Sequence, residues 1–545
     1  MTKTVIVGLD GATWNIIEPL AGAGRLPNLA YMMREGASGV LHSSVPPVTP
    51  AAWTSLFTGK NPGKHGIYDF QELDPQTYQF HSIRTDRHQE KTLWELLTEA
   101  DRRSIFMDVP FTYPPRPFNG LMLTGFGTPR TPDTTFTHPA NLASLLPDEL
   151  QGEVRVALPT HRFDRSARFI EEWSEIMTGR RRLLNHLMRT ESWDLFMVVF
   201  SITDNMAHVF WTYADPAHPN FYRSEAEQYR EAFLHAYELC DQLLGELMEA
   251  AGPQTTTLVL SDHGFGSVRP RQYLFQRLLE GGYTVARQRN SSNPMRRQLL
   301  NFAVNSYTRF PFLREWAKNL RPGSRDLVKK SLQKAGALPG ASNLDYRQSK
   351  VIASNFGLQL WINDAARFAH GPVAPVEREQ VLDELAEFLQ ADLDPIHKRP
   401  IVAKVHRGQD VYSGPFAERC PDLVIEYHDS YNPWSADVER NPHVEGGHTH
   451  DGILLAYGAG VQQTKLDGSR LIDIAPTVLH LLGQEIPPDM DGQVLEAMLS
   501  EEYRQVHPVR AGTKAARREE ATQGGERSAE QEAEVREQLR QLGYL

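Results

Sequence analysis

Short apolar runs recur along the chain, separated by longer stretches of amphipathic spacing. Thr4–Leu9, Ser104–Val109, Asp194–Phe200, Thr255–Leu260 and Gly452–Tyr457 read as buried strands bounded by polar or turn residues. Lys91–Ala100, Ala167–Arg189, Glu225–Ala251 and Arg378–Ala391 carry the spacing of helices. This alternation predicts an α/β fold: a doubly wound, mostly parallel sheet with helices on both faces. In such sheets ligands gather at the carboxyl ends of the strands.

The alternation fails once. From about Arg269 to Ala341 the strand pattern disappears and the chain becomes helical and basic. Residues 1–268 and 342–500 are therefore expected to form two halves of one core, with 269–341 as a helical cap insertion between them. The polar stretch 501–545 is expected to be a peripheral tail, broken at Gly524–Gly525 and ending in a helical run, Ala529–Leu542. Between Met295 and Lys334 ten Lys or Arg are opposed only by Glu315 and Asp326. The plainest account is a solvated helical face. A cap that attracts an anionic substrate is the functional reading. Peripheral contact with an anionic membrane ranks behind it, although Phe302, Tyr307, Phe310, Phe312 and Trp316 interleave with the charges. There are no internal repeats.

Composition narrows the class. With 545 residues, 40% hydrophobic and 23% charged, the chain is an ordinary globular protein and not a disordered one. A net charge of −11 argues against a general nucleic-acid binder. No apolar stretch reaches the roughly 18–20 residues of a membrane span. Val5–Leu9 is short for the apolar part of a signal peptide and runs straight into a glycine turn, so a cytoplasmic location is expected. Cys240 and Cys420 are too few for a disulfide framework or a thiolate metal cage.

Candidate chemistry sits just past the predicted strands. Asp10 follows the first; Asp204 follows the third, with His208 four residues on; Asp262 and His263 follow the fourth; His448 stands ahead of the fifth. Carboxylate and imidazole are the ligands that hard and borderline divalent cations prefer. Asp204 and His208 at i, i+4 share a face if a helix begins there. Thr49 is the candidate nucleophile. Pro50 suits the first position of a helix, and Thr49 just before it suits the N-cap. That places its hydroxyl at the positive end of a helix dipole, where phosphate is also favoured. Metal coordination would activate it without a Ser-His-Asp triad. Each signal is weak alone: Asp-Gly after a strand is most often only a turn. Most of the 20 histidines, including His42, His138 and His235, are expected to be structural or exposed.

Together these residues resemble a known family. The segments DG, VTPAAWTSLFTGKNPGKHGI, TDNMAH, SDHGFG and GGHTHDGIL, in that order, resemble the type I phosphodiesterase/nucleotide pyrophosphatase branch of the alkaline phosphatase superfamily. The likeness is strongest to its bacterial and archaeal phosphohydrolase/phosphomutase-like members. LIDIAPTVLHLLGQEIPPDMDG resembles the closing motif, so the likeness runs over roughly residues 4–495, interrupted by the basic insertion. The resemblance implies an alkaline-phosphatase-like fold and two divalent ions, usually zinc, with manganese the alternative. One ion would be held by Asp204, His208 and His448, the other by Asp10, Asp262 and His263, with Thr49 directed towards the second. Such ions lie about 3.5–4 Å apart and stabilise the entering and leaving oxygens of an in-line displacement. Thr49 would form a phospho-threonine that water then cleaves. Asn205 would help bind substrate, a phosphorylated small molecule or lipid headgroup.

The chain departs from the pattern at one place. Nucleotide pyrophosphatases of the family carry an Asn after HGI that helps bind phosphate; in HGIYDF, Phe70 falls there, which speaks against nucleotide diesters. His450 rivals His448, but the spacing to glycine in HTHDG fits the family best with His448. His65 is read as capping or packing the end of the helix that Thr49 opens, Asp473 as capping the helix after it, and Glu445 as an exposed loop acid. Sulfatases of the same fold use a modified Cys or Ser in C/S-x-P-x-R, and neither Cys240 nor Cys420 fits. A phosphomutase needs the same intermediate returned to a sugar hydroxyl. A catalytically dead binding or scaffold protein has no evident use for a full ligand set.

Overall fold

A strand that is apolar at every position must be covered on both sides, and the architecture does this. The computed structural model describes residues 3–84, 90–159, 167–216, 221, 226–266, 272–287, 344–355, 357–393, 398, 400–428, 446–518 and 527–541. Its centre is a nine-stranded sheet. Across the sheet the strands run Thr464–Arg470, Ala37–His42, Asp451–Gly458, Thr255–Leu260, Lys3–Leu9, Leu195–Phe200, Ser104–Val109, Gly120–Thr124 and Thr137–His138. Only Asp451–Gly458 and the short edge strand Thr137–His138 run against the others.

Side chains alternate between the two faces. Val5, Val7 and Leu9 enter the core under helices Trp14–Gly22, Pro27–Glu35, Ala167–Thr190, Ile202–Ala214 and Ala226–Ala251. Ile6 joins the opposite core under Thr49–Thr58, Leu93–Glu99 and Ile474–Leu481. The expected doubly wound sheet is therefore present, and the five expected strands match to within a residue at each end. The helix at Thr49 starts one residue earlier than expected: Val48 is the N-cap and Thr49 the first helical residue. Asp473 precedes Ile474–Leu481 but does not cap it with its side chain. Its carboxylate instead accepts the backbone N–H groups of Arg470 at 2.9 Å and Gln493 at 2.9 Å.

The second half of the chain divides differently from the expectation. Residues 344–428 do not extend the main sheet. They build an antiparallel four-stranded sheet, in the order Val351–Ala353, Gln359–Ile362, Leu423–Tyr427 and Val402–Arg407. It has its own core, to which helix Arg378–Gln390 contributes Val381, Leu382, Leu385 and Leu389. Helix Gln272–Glu280, expected in the cap, supplies Leu274, Phe275 and Leu278 to the same core. Its apolar stripe has a sheet to cover, so it is not free to cap. The basic run 295–334, with its membrane and substrate readings, lies outside the described residues, as does Glu445.

The tail is not peripheral. Val535 and Leu539 of helix Ala529–Gln541 are each 1% exposed, within a cluster that includes Val48, Ala51 and Phe70. Gln538 donates to the Thr128 carbonyl at 2.8 Å and Arg130 pairs with Glu534 at 2.8 Å. Upstream, buried Lys60 joins Glu90, Asp489 (2.6 Å) and the Ala516 carbonyl (3.3 Å), pinning the chain after residue 510 to the first half.

Candidate metal centre

Register brings the candidate residues to one edge. Leu9 pairs with Phe200, and Gly8 with Leu260, so the three parallel strands end side by side and release Asp10, Ser201 and Ser261 together. Helix Ile202–Ala214 begins immediately, placing Asp204 and His208 on one face. Because Asp451–Gly458 is antiparallel, its beginning, not its end, lies at this edge. The segment before it forms a two-stranded ladder, Gly447–Thr449 against Gly264–Gly266, pairing His448 with Phe265 beside His263. Ala37–His42 runs with the majority, and its continuation delivers Thr49 to the same edge.

Two groups of ligand-type atoms result, each with its atoms within 4.8 Å of one another: Asp204, His208 and His448, and Asp10, Asp262 and His263. In the first, Asp204 Oδ1 is 3.4 Å from both His208 Nε2 and His448 Nε2, and those two nitrogens are 3.1 Å apart. In the second, His263 Nε2 is 3.3 Å from Asp262 Oδ2 and 3.7 Å from Asp10 Oδ1. The rings of His263 and His448 stack with centroids 3.6 Å apart, so the groups are neighbours. Thr49 Oγ1 lies 3.3 Å from His263 Nε2.

The hydrogen bonding suits a cation site. His263 Nδ1 is 3.0 Å from the Gly264 carbonyl and His448 Nδ1 is 3.0 Å from the Pro47 carbonyl. A carbonyl only accepts, so each Nδ1 carries the proton and each Nε2 turns a lone pair inward. Those lone pairs face carboxylate oxygens. Asp10 Oδ1, Asp204 Oδ1 and Asp262 Oδ2 are buried with no hydrogen-bond partner. Acceptors converging on acceptors in a buried pocket are costly unless a cation lies between them, and divalent cations fit this donor set.

Electrostatics agree. Burial, then the charges of Asp262 and Asp204, push the Asp10 carboxyl well above its usual range. Burial and the Asp204 charge push Asp262 up to about 8. Burial opposes ionisation of Asp204 too, but His208 and His448 outweigh it and hold its carboxyl far below the usual range. Burial, reinforced by His448, lowers His263. Burial likewise lowers His448. Three carboxylates in one buried pocket resist ionising together until positive charge is added.

Other residues hold the candidate ligands in place. Gly11 has φ +66°, and a Cβ there would stand 2.9 Å from Asp204 Oδ1. Its N–H donates to Asp262 Oδ1 at 3.3 Å. Sequence reasoning missed three buried hydroxyls that tie the strand ends together. Ser43 donates to the Asp262 carbonyl (2.6 Å), Thr203 to that of Asp10 (2.6 Å) and Ser261 to that of Ala12 (3.0 Å). For Thr203 and Ser261 the only signal was a hydroxyl residue beside a candidate ligand, in SITD and SDHG; Ser43 had none. Phe265 packs edge-on against His208, with centroids 4.9 Å apart.

Asn205, one residue and about 100° around the helix from Asp204, is buried with Oδ1 unpaired. His65 bonds Ser55 Oγ at 3.0 Å and accepts from the Ile67 N–H at 3.2 Å, closing the end of the Thr49 helix as expected. Phe70 is fully buried against Phe111 and Phe126 at 5.6 and 6.4 Å. An apolar ring therefore occupies the position where an amide was looked for. His450 does not join His448; it lies with His42 and Asp451.

A parallel-dominated sheet with helices on both faces and an Asp/His-lined pocket at its carboxyl edge defines an alkaline-phosphatase-like protein. The model of the family "Type I phosphodiesterase / nucleotide pyrophosphatase" matches residues 4–451, and the chain belongs to that family. Among solved structures it is similar to wild-type alkaline phosphatase PafA, at 14% identity and TM-score 0.51, over 92% of this chain and 99% of that one. It is also similar to an inactive variant of murine ectonucleotide pyrophosphatase/phosphodiesterase 5 in complex with AMP, at 13% identity and TM-score 0.50, over 92% and 100%. At those identities the likeness is one of fold. A short segment is 40% identical over 48 residues to the 2,3-bisphosphoglycerate-independent phosphoglycerate mutase of Bacteroides thetaiotaomicron, covering 9% of this chain and 10% of the mutase. Another is 41% identical over 63 residues to that of Shewanella amazonensis, covering 11% and 12%. The chain thus matches only about a tenth of the length of these curated relatives. No helix among the described residues is long and apolar enough to cross a membrane.

Proposed function

We propose that this chain is a phosphohydrolase that cleaves phosphate mono- or diesters with two divalent cations and a phospho-Thr49 intermediate. The observation that carries the reading is the convergence of Asp10, Asp204, His208, Asp262, His263 and His448 in two groups beside the Thr49 hydroxyl, with one oxygen of each aspartate buried and unbonded. Asp204, His208 and His448 would hold one cation, and Asp10, Asp262 and His263 the other. Zinc suits the set, which also accepts manganese. The cations would supply Lewis acidity that acidifies a hydroxyl and offsets phosphoryl charge.

Thr49 opens its helix, so its oxygen and the incoming phosphate both lie at the positive end of the dipole. The Thr49 oxygen loses its proton and bonds to phosphorus as the ester oxygen leaves and takes up a proton as an alcohol; water then breaks the Thr49–phosphorus linkage, restoring the hydroxyl and releasing phosphate from a monoester or a phosphomonoester from a diester. The substrate is a small phosphorylated molecule or a lipid headgroup, with Asn205 as a further contact. Phe70 in place of an amide favours a substrate other than a nucleotide diester. Segmental likeness to phosphoglycerate mutases favours one alternative, return of the phosphoryl group to a substrate hydroxyl.

The test is bound metal by elemental analysis with turnover of p-nitrophenyl phosphate and bis(p-nitrophenyl) phosphate, for wild type and Thr49→Ala. Two equivalents of metal and a loss of about 10³-fold or more in the variant are expected. Wild-type turnover by Thr49→Ala would overturn the covalent route, and a chain that binds no divalent cation would overturn the metal assignment. Metal-loaded protein inert on both esters would favour the mutase.

A further inference from the structure

Three further donors sit beside this centre without belonging to it. His42 ends the strand Ala37–His42, and Asp451 is its direct partner in the adjacent antiparallel strand. His42 Nδ1 is 2.9 Å from Asp451 Oδ1, and His450 Nδ1 is 3.7 Å from the same oxygen. The two imidazoles lie with centroids 5.6 Å apart, and all three donor atoms are within 4.8 Å of one another. Unlike the buried pocket, this group is open to solvent, with side-chain exposures of 37% for His42, 25% for His450 and 63% for Asp451.

We infer that His42, His450 and Asp451 form a third, peripheral site for a borderline divalent cation such as zinc. His42 and Asp451 converge from paired strand positions, and His450 from the bend before Asp451, where its carbonyl accepts from the Ser43 N–H at 2.9 Å, so little ordering is needed on binding. Three protein donors leave the remaining coordination to water or a further side chain. A cation here clamps the end of Ala37–His42 to the segment that, two residues earlier, carries His448. It thereby stiffens one wall of the proposed active site.

The test is zinc bound per chain after dialysis against buffered free zinc, measured on wild type, His42→Gln/His450→Gln and Asp451→Asn. Each variant is expected to hold one equivalent fewer than wild type, with a cooperative melt in chelator showing that it is folded. Equal zinc in all three overturns the inference. Failure of the two-cation reading would lower every value alike and leave the difference of one equivalent in place, so the two ideas fail separately.

Discussion

Gly11→Ala separates backbone strain from displacement of a ligand. Gly11 has φ +66°, where a residue with a β-carbon pays about 1–2 kcal/mol. The added Cβ would stand 2.9 Å from Asp204 Oδ1 and 3.2 Å from Asp204 Cβ, where ordinary contact begins at 3.4 Å. Retreat of the strand is blocked because Thr203 holds the Asp10 carbonyl at 2.6 Å. The Asp204 carboxylate therefore has to move by about half an ångström. A misplacement of about 1 Å at a reacting centre can cost about 10²-fold, so about tenfold is expected, both in cation affinity at the Asp204 group and in turnover. Gly24→Ala is the control: φ is +75° and nothing lies within 4 Å of its Cβ, so it carries the strain without the clash. Chelator competition, chromogenic turnover and thermal melts on both variants decide the matter. Wild-type cation affinity in Gly11→Ala would refute the reasoning, and equal losses in Gly24→Ala would assign the effect to strain.

Leu539→Ala is expected to cost about 2–5 kcal/mol by chemical denaturation, because its side chain is buried in the core behind Thr49; a change within about 0.5 kcal/mol would mark the tail as peripheral after all. Burial opposes ionisation of Glu95, but Arg518, bonded at 3.0 and 2.9 Å, and the Thr92 backbone outweigh it and hold its carboxyl below the ordinary 4.5. Its contribution is present above that ordinary value and is lost as pH falls through the lowered folded value. The stability gap between wild type and Glu95→Gln should therefore narrow in acid, and a gap that widens would reverse the sign. Chelation should lower stability, by about 2.7 kcal/mol per site relative to free cation at a hundred times Kd, because a cation that binds only the folded chain is then removed. Identical melts with and without chelator would contradict a cation-filled pocket.

Local pattern by itself determined five of the nine strands of the main sheet and the residue types of the site. Runs such as Thr4–Leu9 are apolar throughout because both faces are covered, and that signal needs no knowledge of partners. Asp204 and His208 were readable as a pair because helical spacing is a local property. The small sheet was not readable: its strands are three to six residues long, and Val402–Arg407 buries little beyond Val402. The tail helix was readable but its docking was hidden, since its buried face mixes Gln531 and Gln538 with only two apolar anchors, Val535 and Leu539. His448 shows the division most clearly. A ligand ahead of a strand would lie at the wrong edge of an all-parallel sheet. It reaches the site because Asp451–Gly458 enters antiparallel between Ala37–His42 and Thr255–Leu260, and the pairing of Gly447–Thr449 with Gly264–Gly266 sets His448 beside His263. Strand direction is settled by pairing between segments some 190 to 410 residues apart in the chain. Periodicity reports only which face is buried, so the folded chain alone decides at which edge a residue emerges.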